Sequence, residues 1–530
     1  MLEITGRSYI AGDWISPRGE TFQSFNPYKK ESMYSFTSCG SSEIALAARA
    51  AESAYRVYRD LDGKTIGNFL NTIADEIEAL GDQLLEVADS ETALGLVRLT
   101  GERGRTCGQL RAFADLVIKG EWVQASIDTA IPERAPVPKP DIRRMMKGIG
   151  PVAVFGASNF PFAFSVAGGD TASALAAGNP VIVKGHPAHP ATSELFAHAV
   201  ATATKICGIP AGVFSLLQDA GHQVGAALVQ HPLVEAVGFT GSEHGGRALM
   251  DLAAARPRPI PVFAEMGSIN PLFVGPETLK VQAESIATGL SGSICMGTGQ
   301  FCTSPGLVVT VANEAFEFAL KNRLSDAPRG YLLNPRIASS LQAGLEHLCT
   351  HPHVEWLNAA GFSEGSMTPP NAVFKTSAKH FLADSSLSEE VFGPVTLYVV
   401  CEDEKQMTEI ANNLNGNLTA SIHADEDPDL AAGLINILEQ KVGRVIFNGY
   451  PTGVEVCPSQ QHGGPYPASS VSTATSVGVG AIVRFARFVA YQDCPDNLLP
   501  DALKNENPLG IYRQVNGRQS TSSIPDTNYA

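Results

Sequence analysis

The chain predicts an α/β protein, and three observations carry that expectation. Short apolar runs bounded by Gly or Pro recur through its middle: Ile149–Phe155, Pro180–Lys184, Gly212–Gln218, Val234–Phe239 and Ile260–Glu265. Helical stretches separate them at Thr171–Ala177, Thr192–Ile206, Val224–Val229 and Gly245–Ala255. Buried strands alternating with helices describe a parallel sheet covered on both faces. A second α/β stretch begins near Glu265 and runs to about Gly453, with Leu307–Val311, Val395–Val400 and Val445–Phe447 as strands. A chain of 530 residues also exceeds what one core usually organises, so two or three domains are expected.

Before the first strand, Ser41 to Leu116 is rich in Ala and Leu. The positions Ile66, Leu70, Ile73, Ile77, Leu80 and Leu84 draw one apolar stripe at helical spacing. Val123–Asp141 breaks that pattern with several prolines and alternating apolar positions, as in an exposed β-arm. After Asp493 the sequence is polar and rich in turn residues, which predicts a tail draped on the surface.

Composition limits the function classes. The formal net charge of −16 at pH 7 disfavours nucleic acid, which needs clustered Lys and Arg. Nine scattered cysteines suit reduced thiols in a cytoplasmic setting rather than a secreted disulfide scaffold. There is no basic segment followed by an apolar core near Met1, and no apolar run long enough for a membrane span.

Gly289–Gly306 is the most unusual stretch, with small residues crowded around Cys302. A cysteine nucleophile needs an accessible thiolate and backbone N–H groups facing a developing oxyanion, and a Gly-rich backbone supplies both. A cysteine buried in a tight loop explains the same residues, and Cys295 seven positions earlier packs inward at helical spacing. Glu265 closes an apolar strand just before Met266-Gly267, where a general base would sit with its pKa raised by desolvation; a strand-end carboxylate explains it equally. Asn159, in Ser158-Asn-Phe-Pro161, can donate to an oxyanion or simply serve the turn. Lys184 ends a strand where open α/β sheets bind nucleotides. Gly241 and Ser242 stand between a strand and a helix, where a pyrophosphate can meet free N–H groups or Ser242 can merely cap the helix. No set of His, Cys and Glu has zinc-site spacing, so no metal is expected. His462, beside Gly463-Gly464, could serve a cofactor-free thiol hydrolase, but nothing in the sequence ties it to Cys302.

In order and spacing these segments resemble the aldehyde dehydrogenase family over nearly the whole chain. Gly299-Gln-Phe-Cys302-Thr is similar to its nucleophile motif, Glu265-Met-Gly to its general-base motif, and Asn159 to its oxyanion asparagine. The resemblance implies that Lys184 holds the adenosine ribose, Gly241 and Ser242 the pyrophosphate, and Glu390 the nicotinamide ribose, with Phe392 flanking the ring. It also implies a Rossmann-like cofactor domain (1–120 and 145–264), an α/β catalytic domain (265–455) and an oligomerisation arm (121–144 and 481–493), in a homodimer or homotetramer. The 494–530 segment is the surface tail. Ser158 and Ser268 depart from the usual Trp and second Gly. Glu265-Met-Gly-Ser-Ile-Asn-Pro271, with Cys302-Thr-Ser-Pro-Gly306, is similar to a longer branch containing 2,5-dioxopentanoate dehydrogenases and an NADP-using fatty aldehyde dehydrogenase.

That resemblance implies oxidation of an aldehyde to the acid through a thiohemiacetal and a thioester on Cys302, with Glu265 activating water. Pro187 stands where NAD-specific relatives often carry a repelling Glu, so NADP is expected to serve at least as well as NAD. For a substrate with a distal carboxylate, Arg105 and Arg111 are the candidate clamp. For a fatty or medium-chain aldehyde, Phe160, Phe162 and Phe164 are the candidate tunnel lining.

Overall fold

The computed structural model describes residues 2–359, 361–363 and 365–525. Four N-terminal helices precede the sheets: α1 (Ser41–Tyr58), α2 (Gly63–Ala79), α3 (Gly81–Thr92) and α4 (Leu96–Lys119). The stripe expected on one helix is divided between α2 and α3, because the chain breaks at Leu80–Gly81, with Gly81 at φ +60°. Ile66, Leu70, Ile73 and Ile77 of α2 and Leu84 of α3 still share one core. Full burial of each such side chain contributes about 1.5–3 kcal/mol.

Every strand expected between residues 149 and 265 forms, at Val152–Phe155, Val181–Lys184, Phe214–Leu217, Ala236–Thr240 and Val262–Glu265. These five are parallel. Ser8–Ile10 adds antiparallel to Phe214–Leu217, and Asp13–Ile15 adds antiparallel to Ser8–Ile10 at the edge. Val152–Phe155 pairs with Val181–Lys184 on one side and Ala236–Thr240 on the other. The chain therefore builds outward in one direction and then returns to build in the other. Such a reversal opens a crevice at the carboxyl ends of the strands, where Rossmann-like sheets place ligands.

A second seven-stranded sheet runs in the order Glu355–Trp356, Ala372–Ser377, Val395–Cys401, Leu307–Val311, Leu272–Val274, Asn417–His423 and Val442–Phe447. All are parallel except the Glu355–Trp356 edge. Glu265 ends the last strand of the first sheet, and seven residues later Leu272 opens a strand of the second.

The third sheet corrects the expectation for the C-terminus. Its order is Ala486–Gln492, Ile142–Gly148, Ser126–Asp128, Arg513–Val515 and Arg518–Ser520. The segment expected to drape on the surface also adds a hairpin to the arm and closes a small core of Val123, Ile127, Met145, Leu503 and Ile511. Arg513 is fully buried and donates to the Lys504 and Ser522 carbonyls. Alternation of apolar and polar residues hid this hairpin, because its inward positions include an arginine. Residues 526–530 of that segment lie outside the described residues. Among the described residues, no helix is long and apolar enough to cross a membrane.

Candidate active site

Cys302 follows the helix Pro276–Cys295 through a turn at Met296–Gly299 in which Gly297, Thr298 and Gly299 all have positive φ. Gly299 is irreplaceable there on steric grounds: at φ +64°, a Cβ would lie 2.2 Å from the Gly393 carbonyl. That close approach sets the nucleophile loop against the segment carrying Glu390 and Phe392. Gln300 is buried and locks the loop further, its Nε2 donating to the Tyr331 carbonyl at 3.0 Å and its Oε1 accepting from Leu333 N–H at 3.0 Å.

Asn159, expected as an oxyanion donor, lies against the Cys302 loop. Its Nδ2 donates to the Gln300 carbonyl at 3.1 Å. An amide nitrogen carries two hydrogens, so this bond orients the group and leaves one hydrogen for another acceptor.

Glu265 also meets Cys302, with one partner that sequence reasoning set aside. His462 is buried; its Nε2 lies 3.0 Å from Glu265 Oε1 and 3.6 Å from Cys302 Sγ. The short contact assigns the Nε2 proton as a donor to the carboxylate. Ser476 Oγ donates to Glu265 Oε2 at 2.5 Å and to the His462 carbonyl at 3.2 Å. His462 N–H in turn donates to Thr475 Oγ1 at 2.9 Å. The 460–476 loop thus completes a site whose other members lie about 160 to 200 residues earlier.

His462 reverses the expected electrostatics of Glu265. Burial alone pushes the carboxyl pKa up, but the His462 charge and hydrogen bonds from His462, Ser476 and Cys302 together bring it below the ordinary carboxylate value. The Cys302 thiol moves the other way. Burial, then the charge of Glu265 and its hydrogen bond, hold it well above the usual thiol range, while Arg105 counteracts them. The resting pair is therefore a thiol beside a carboxylate.

Of the arginines, Arg105 approaches the site and Arg111 does not. Arg105 lies over Phe160 and Phe164, at 5.8 and 5.3 Å from their ring centroids. Arg111 is six residues further along α4, about 120° round the helix, and is held at the surface by Asp75 and Glu78 at 2.7 Å each. Its expected role in a substrate clamp is incompatible with that placement. Arg98 takes the position instead, seven residues before Arg105 on the same helical face. It donates to the Asn159 carbonyl at 2.5 Å and packs over Phe160 and Phe301. Between them, Glu102 accepts from Phe162 N–H at 2.8 Å and Ala163 N–H at 3.0 Å, fixing α4 to the Asn159 turn. Arg98 Nη1 and Arg105 Nε and Nη2 are buried nitrogens without an acceptor. Phe160 and Phe164 face this pocket, whereas Phe162 is buried against Phe196.

The carboxyl ends of the first sheet hold the remaining candidates. Lys184 Nζ donates to the Asp219 carbonyl at 2.8 Å, and burial, moderated by Asp219 and reinforced by Arg336, lowers it to about 8. Pro187 and half-buried His186 follow it in the loop. Gly241 ends the Ala236–Thr240 strand, and Ser242 caps the Glu243–Ala254 helix by accepting from Gly245 N–H at 3.2 Å. Both are exposed at that helix N-terminus. Glu390 and Phe392 line a cleft with Ser268, Gly299 and Phe301. Glu390 touches solvent, yet it stands among protein walls, and that desolvation pushes its carboxyl up to about 7.

Comparison with known proteins agrees with this geometry. The Aldehyde dehydrogenase family pattern matches residues 14–475, and the chain belongs to the aldehyde dehydrogenase family. It is 47% identical over 523 residues to alpha-ketoglutaric semialdehyde dehydrogenase 2 of Azospirillum brasilense, covering 98% of this chain and 100% of the relative. It is 46% identical over 531 residues to an alpha-ketoglutaric semialdehyde dehydrogenase of Acinetobacter baylyi, covering 98% and 99%. Among solved structures, betaine aldehyde dehydrogenase from Staphylococcus aureus in complex with NAD+ superposes with a TM-score of 0.78 at 19% identity, over 93% of this chain and 96% of that one.

Proposed function

We propose that this enzyme oxidises 2,5-dioxopentanoate (α-ketoglutaric semialdehyde) to 2-oxoglutarate, using a nicotinamide cofactor and releasing the acid by hydrolysis. The observation that carries the substrate assignment is the pair Arg98 and Arg105, which share the one buried carboxylate of Glu102 and keep buried nitrogens without an acceptor, with Arg105 near enough to act on the Cys302 thiol. A guanidinium nitrogen left without an acceptor inside a protein costs several kcal/mol, on the order that favours a bound anion. Phe160, Phe164 and Phe301 form walls around those donors, and Arg98 with Arg105 can grip a carboxylate from two sides. A fatty aldehyde offers them nothing. The names of the two relatives near 47% identity support the same reading.

The residues present fit a dinucleotide. Lys184, Gly241 and Ser242 surround the crevice at the sheet's reversal, and Glu390 offers a ribose acceptor near the nucleophile. A nicotinamide held by these residues would supply the acceptor for hydride from the substrate carbon. Position 187 adds no second carboxylate to Asp219, which lies 4.0 Å from Lys184 Nζ, and Lys184, His186 and Arg336 stand close together, so NADP serves at least as well as NAD.

Chemistry begins with Cys302 adding to the aldehyde carbon. Because the thiol is held high and Glu265 low, the proton passes to Glu265 as the C–S bond forms, rather than beforehand. The free hydrogen of Asn159 Nδ2 and the Cys302 N–H receive the oxyanion. Loss of hydride leaves a thioester on Cys302. Glu265 then loses that proton to solvent and, held as a carboxylate by His462 and Ser476, takes one from water as it attacks the thioester; passing this proton to the departing sulfur releases the acid and regenerates the thiol. A relative that passes the acyl group to a thiol cofactor needs no such base.

The Ala486–Gln492 edge of the third sheet, paired on one side only among the described residues, supports assembly into a dimer or tetramer through this arm. The division into a cofactor unit and a catalytic unit near residue 265 follows the two sheets.

The test compares 2,5-dioxopentanoate with an uncharged aldehyde of equal length, following reduced cofactor. The semialdehyde should have the higher kcat/KM, and Arg105→Met should cut that ratio at least about tenfold, as loss of one buried ionic contact predicts. A higher kcat/KM for the uncharged aldehyde rejects the substrate. Turnover of aldehyde by Cys302→Ala rejects the nucleophile. Thioester hydrolysis without any nicotinamide requirement would instead favour a thiol hydrolase, for which the Cys302–His462 contact supplies the geometry.

A further inference from the structure

We propose that Glu265, Cys302 and His462 form a three-ligand site for a borderline-soft divalent cation, zinc above all. Their ligand atoms lie within 4.8 Å of one another. The set comprises a thiol, an imidazole and a carboxylate, the three side-chain types that bind zinc. Nothing in the chain's local sequence shows it, since the three residues come from separate strand-end and loop segments.

The spacing is already close to that of a filled site. Zn–S and Zn–N bonds of about 2.3 and 2.05 Å at a tetrahedral angle put sulfur and nitrogen about 3.5 Å apart. Cys302 Sγ and His462 Nε2 are 3.6 Å apart. The same arithmetic puts nitrogen and oxygen about 3.3 Å apart, against 3.0 Å between His462 Nε2 and Glu265 Oε1. One imidazole nitrogen facing both other ligands is what a shared central cation requires. The second carboxylate oxygen is already held by Ser476, which leaves Oε1 to the metal with its partner in place.

Binding balances in charge and protons. The S–H bond breaks, its proton leaves to solvent, and the S–Zn bond forms. Thiolate and carboxylate then neutralise the dication in a buried place, which removes the usual cost of enclosing an ion. His462 coordinates through Nε2 as neutral imidazole, so its proton moves to Nδ1 and the net proton released is that of the thiol. Affinity therefore rises with pH, and three protein ligands leave the fourth position open toward the substrate pocket.

The consequence for catalysis rests on the roles proposed above for Cys302 and Glu265. A cation in this site occupies the nucleophile and the base together, so it inhibits both acylation and hydrolysis. Inhibition should be reversible by a chelator and competitive with aldehyde.

The binding test needs no turnover. Zn2+ alone is titrated calorimetrically into the full-length enzyme, and Co2+ is used to report a thiolate ligand through its near-ultraviolet charge-transfer band. The expected result is one site per chain, with Cys302→Ser and His462→Gln each weakening it by more than about 100-fold, beyond the loss of an outer-sphere partner. The Co2+ band should vanish in Cys302→Ser, while Cys349→Ser, at an exposed thiol, leaves both signals intact. Cys302→Ser is nearly isosteric and so guards against a folding defect in the histidine variant. Wild-type affinity in both Cys302→Ser and His462→Gln overturns the site, as does a wild-type enzyme lacking the charge-transfer band. If zinc binds as described while aldehyde oxidation continues at saturation, the site stands and the assignment of Cys302 as nucleophile falls.

Discussion

Asn270 donates through its side-chain amide to the Cys302 carbonyl at 2.9 Å. The same amide donates to the Ser304 carbonyl at 2.9 Å, and Asn270 Oδ1 accepts from Ser268 and Thr419 hydroxyls at 2.9 Å each. Asn270 has φ +47°, a conformation asparagine tolerates better than most residues. It joins the chain leaving Glu265 to the loop carrying Cys302, so the carboxylate and the thiol proposed as base and nucleophile are positioned by one residue.

Asn270→Ala leaves two loop carbonyls without a donor, at about 1–3 kcal/mol each if they stay buried. We expect a lower Tm and at least about a tenfold fall in kcat, since small displacements of a reacting group are costly. Cofactor affinity should be unchanged. Calorimetry, steady-state rates and cofactor fluorescence test this; full kcat with a lowered Tm would reduce Asn270 to a structural brace.

Glu265→Gln should slow deacylation more than acylation, giving a burst of reduced cofactor followed by slow turnover. Stopped-flow absorbance measures both phases. Equal loss of burst amplitude rate and steady rate would show that the first proton transfer depends on Glu265 as strongly as the second does.

The thiol's environment fixes the sign of a pH effect. Cys302 is held above the ordinary thiol value, so its thiolate grows only as pH rises, and alkylation by iodoacetamide should accelerate toward alkaline pH. Removing the Glu265 charge takes away one cause of the upward shift, so Glu265→Gln should move the alkylation curve to lower pH. Arg105→Met, which removes an opposing charge, should move it to higher pH. Peptide mass spectrometry restricts the measurement to Cys302, and a shift of opposite sign in either variant contradicts the arrangement.

Pro187→Glu places a carboxylate in the loop after Lys184, where a 2′-phosphate would be repelled. The ratio of kcat/KM for NADP+ over that for NAD+ should fall by about tenfold or more, equivalent to roughly 1.4 kcal/mol. Initial-rate kinetics with both cofactors decides, and a wild-type enzyme strongly favouring NAD+ would already refute the premise.

Arg111→Ala should leave substrate discrimination unaltered. It breaks solvent-exposed pairs with Asp75 and Glu78, which are worth about 0–1 kcal/mol in total stability. A changed ratio between charged and uncharged aldehydes would mean that Arg111 reaches substrate after all.

Much of this architecture was legible because parallel strands buried on both faces leave continuous apolar runs, as in Val181–Lys184. Cys302, Glu265 and Asn159 stood out for a different reason: each sets a reactive or hydrogen-bonding group in a turn or at a strand end. His462 and Asn270 did not, because each acts through a partner distant in sequence, His462 lying 197 residues from Glu265. Arg98 was missed and Arg111 chosen because an arginine count in α4 does not reveal which helical face turns inward. The C-terminal hairpin was missed because the small arm core uses a buried arginine, Arg513, where alternation predicts an apolar residue.

Arg98 binds the Asn159 carbonyl with one nitrogen and leaves another without an acceptor beside Phe160 and Phe301. In the proposed reaction, the group that receives the far end of the substrate is thereby also the brace of the Asn159 turn. Substrate choice and rate then share a residue, and divergence toward an uncharged aldehyde cannot proceed by Arg98 replacement alone without loss of turnover. Arg105, which has no such second attachment, is the freer position, so new specificities in this scaffold should arise there first.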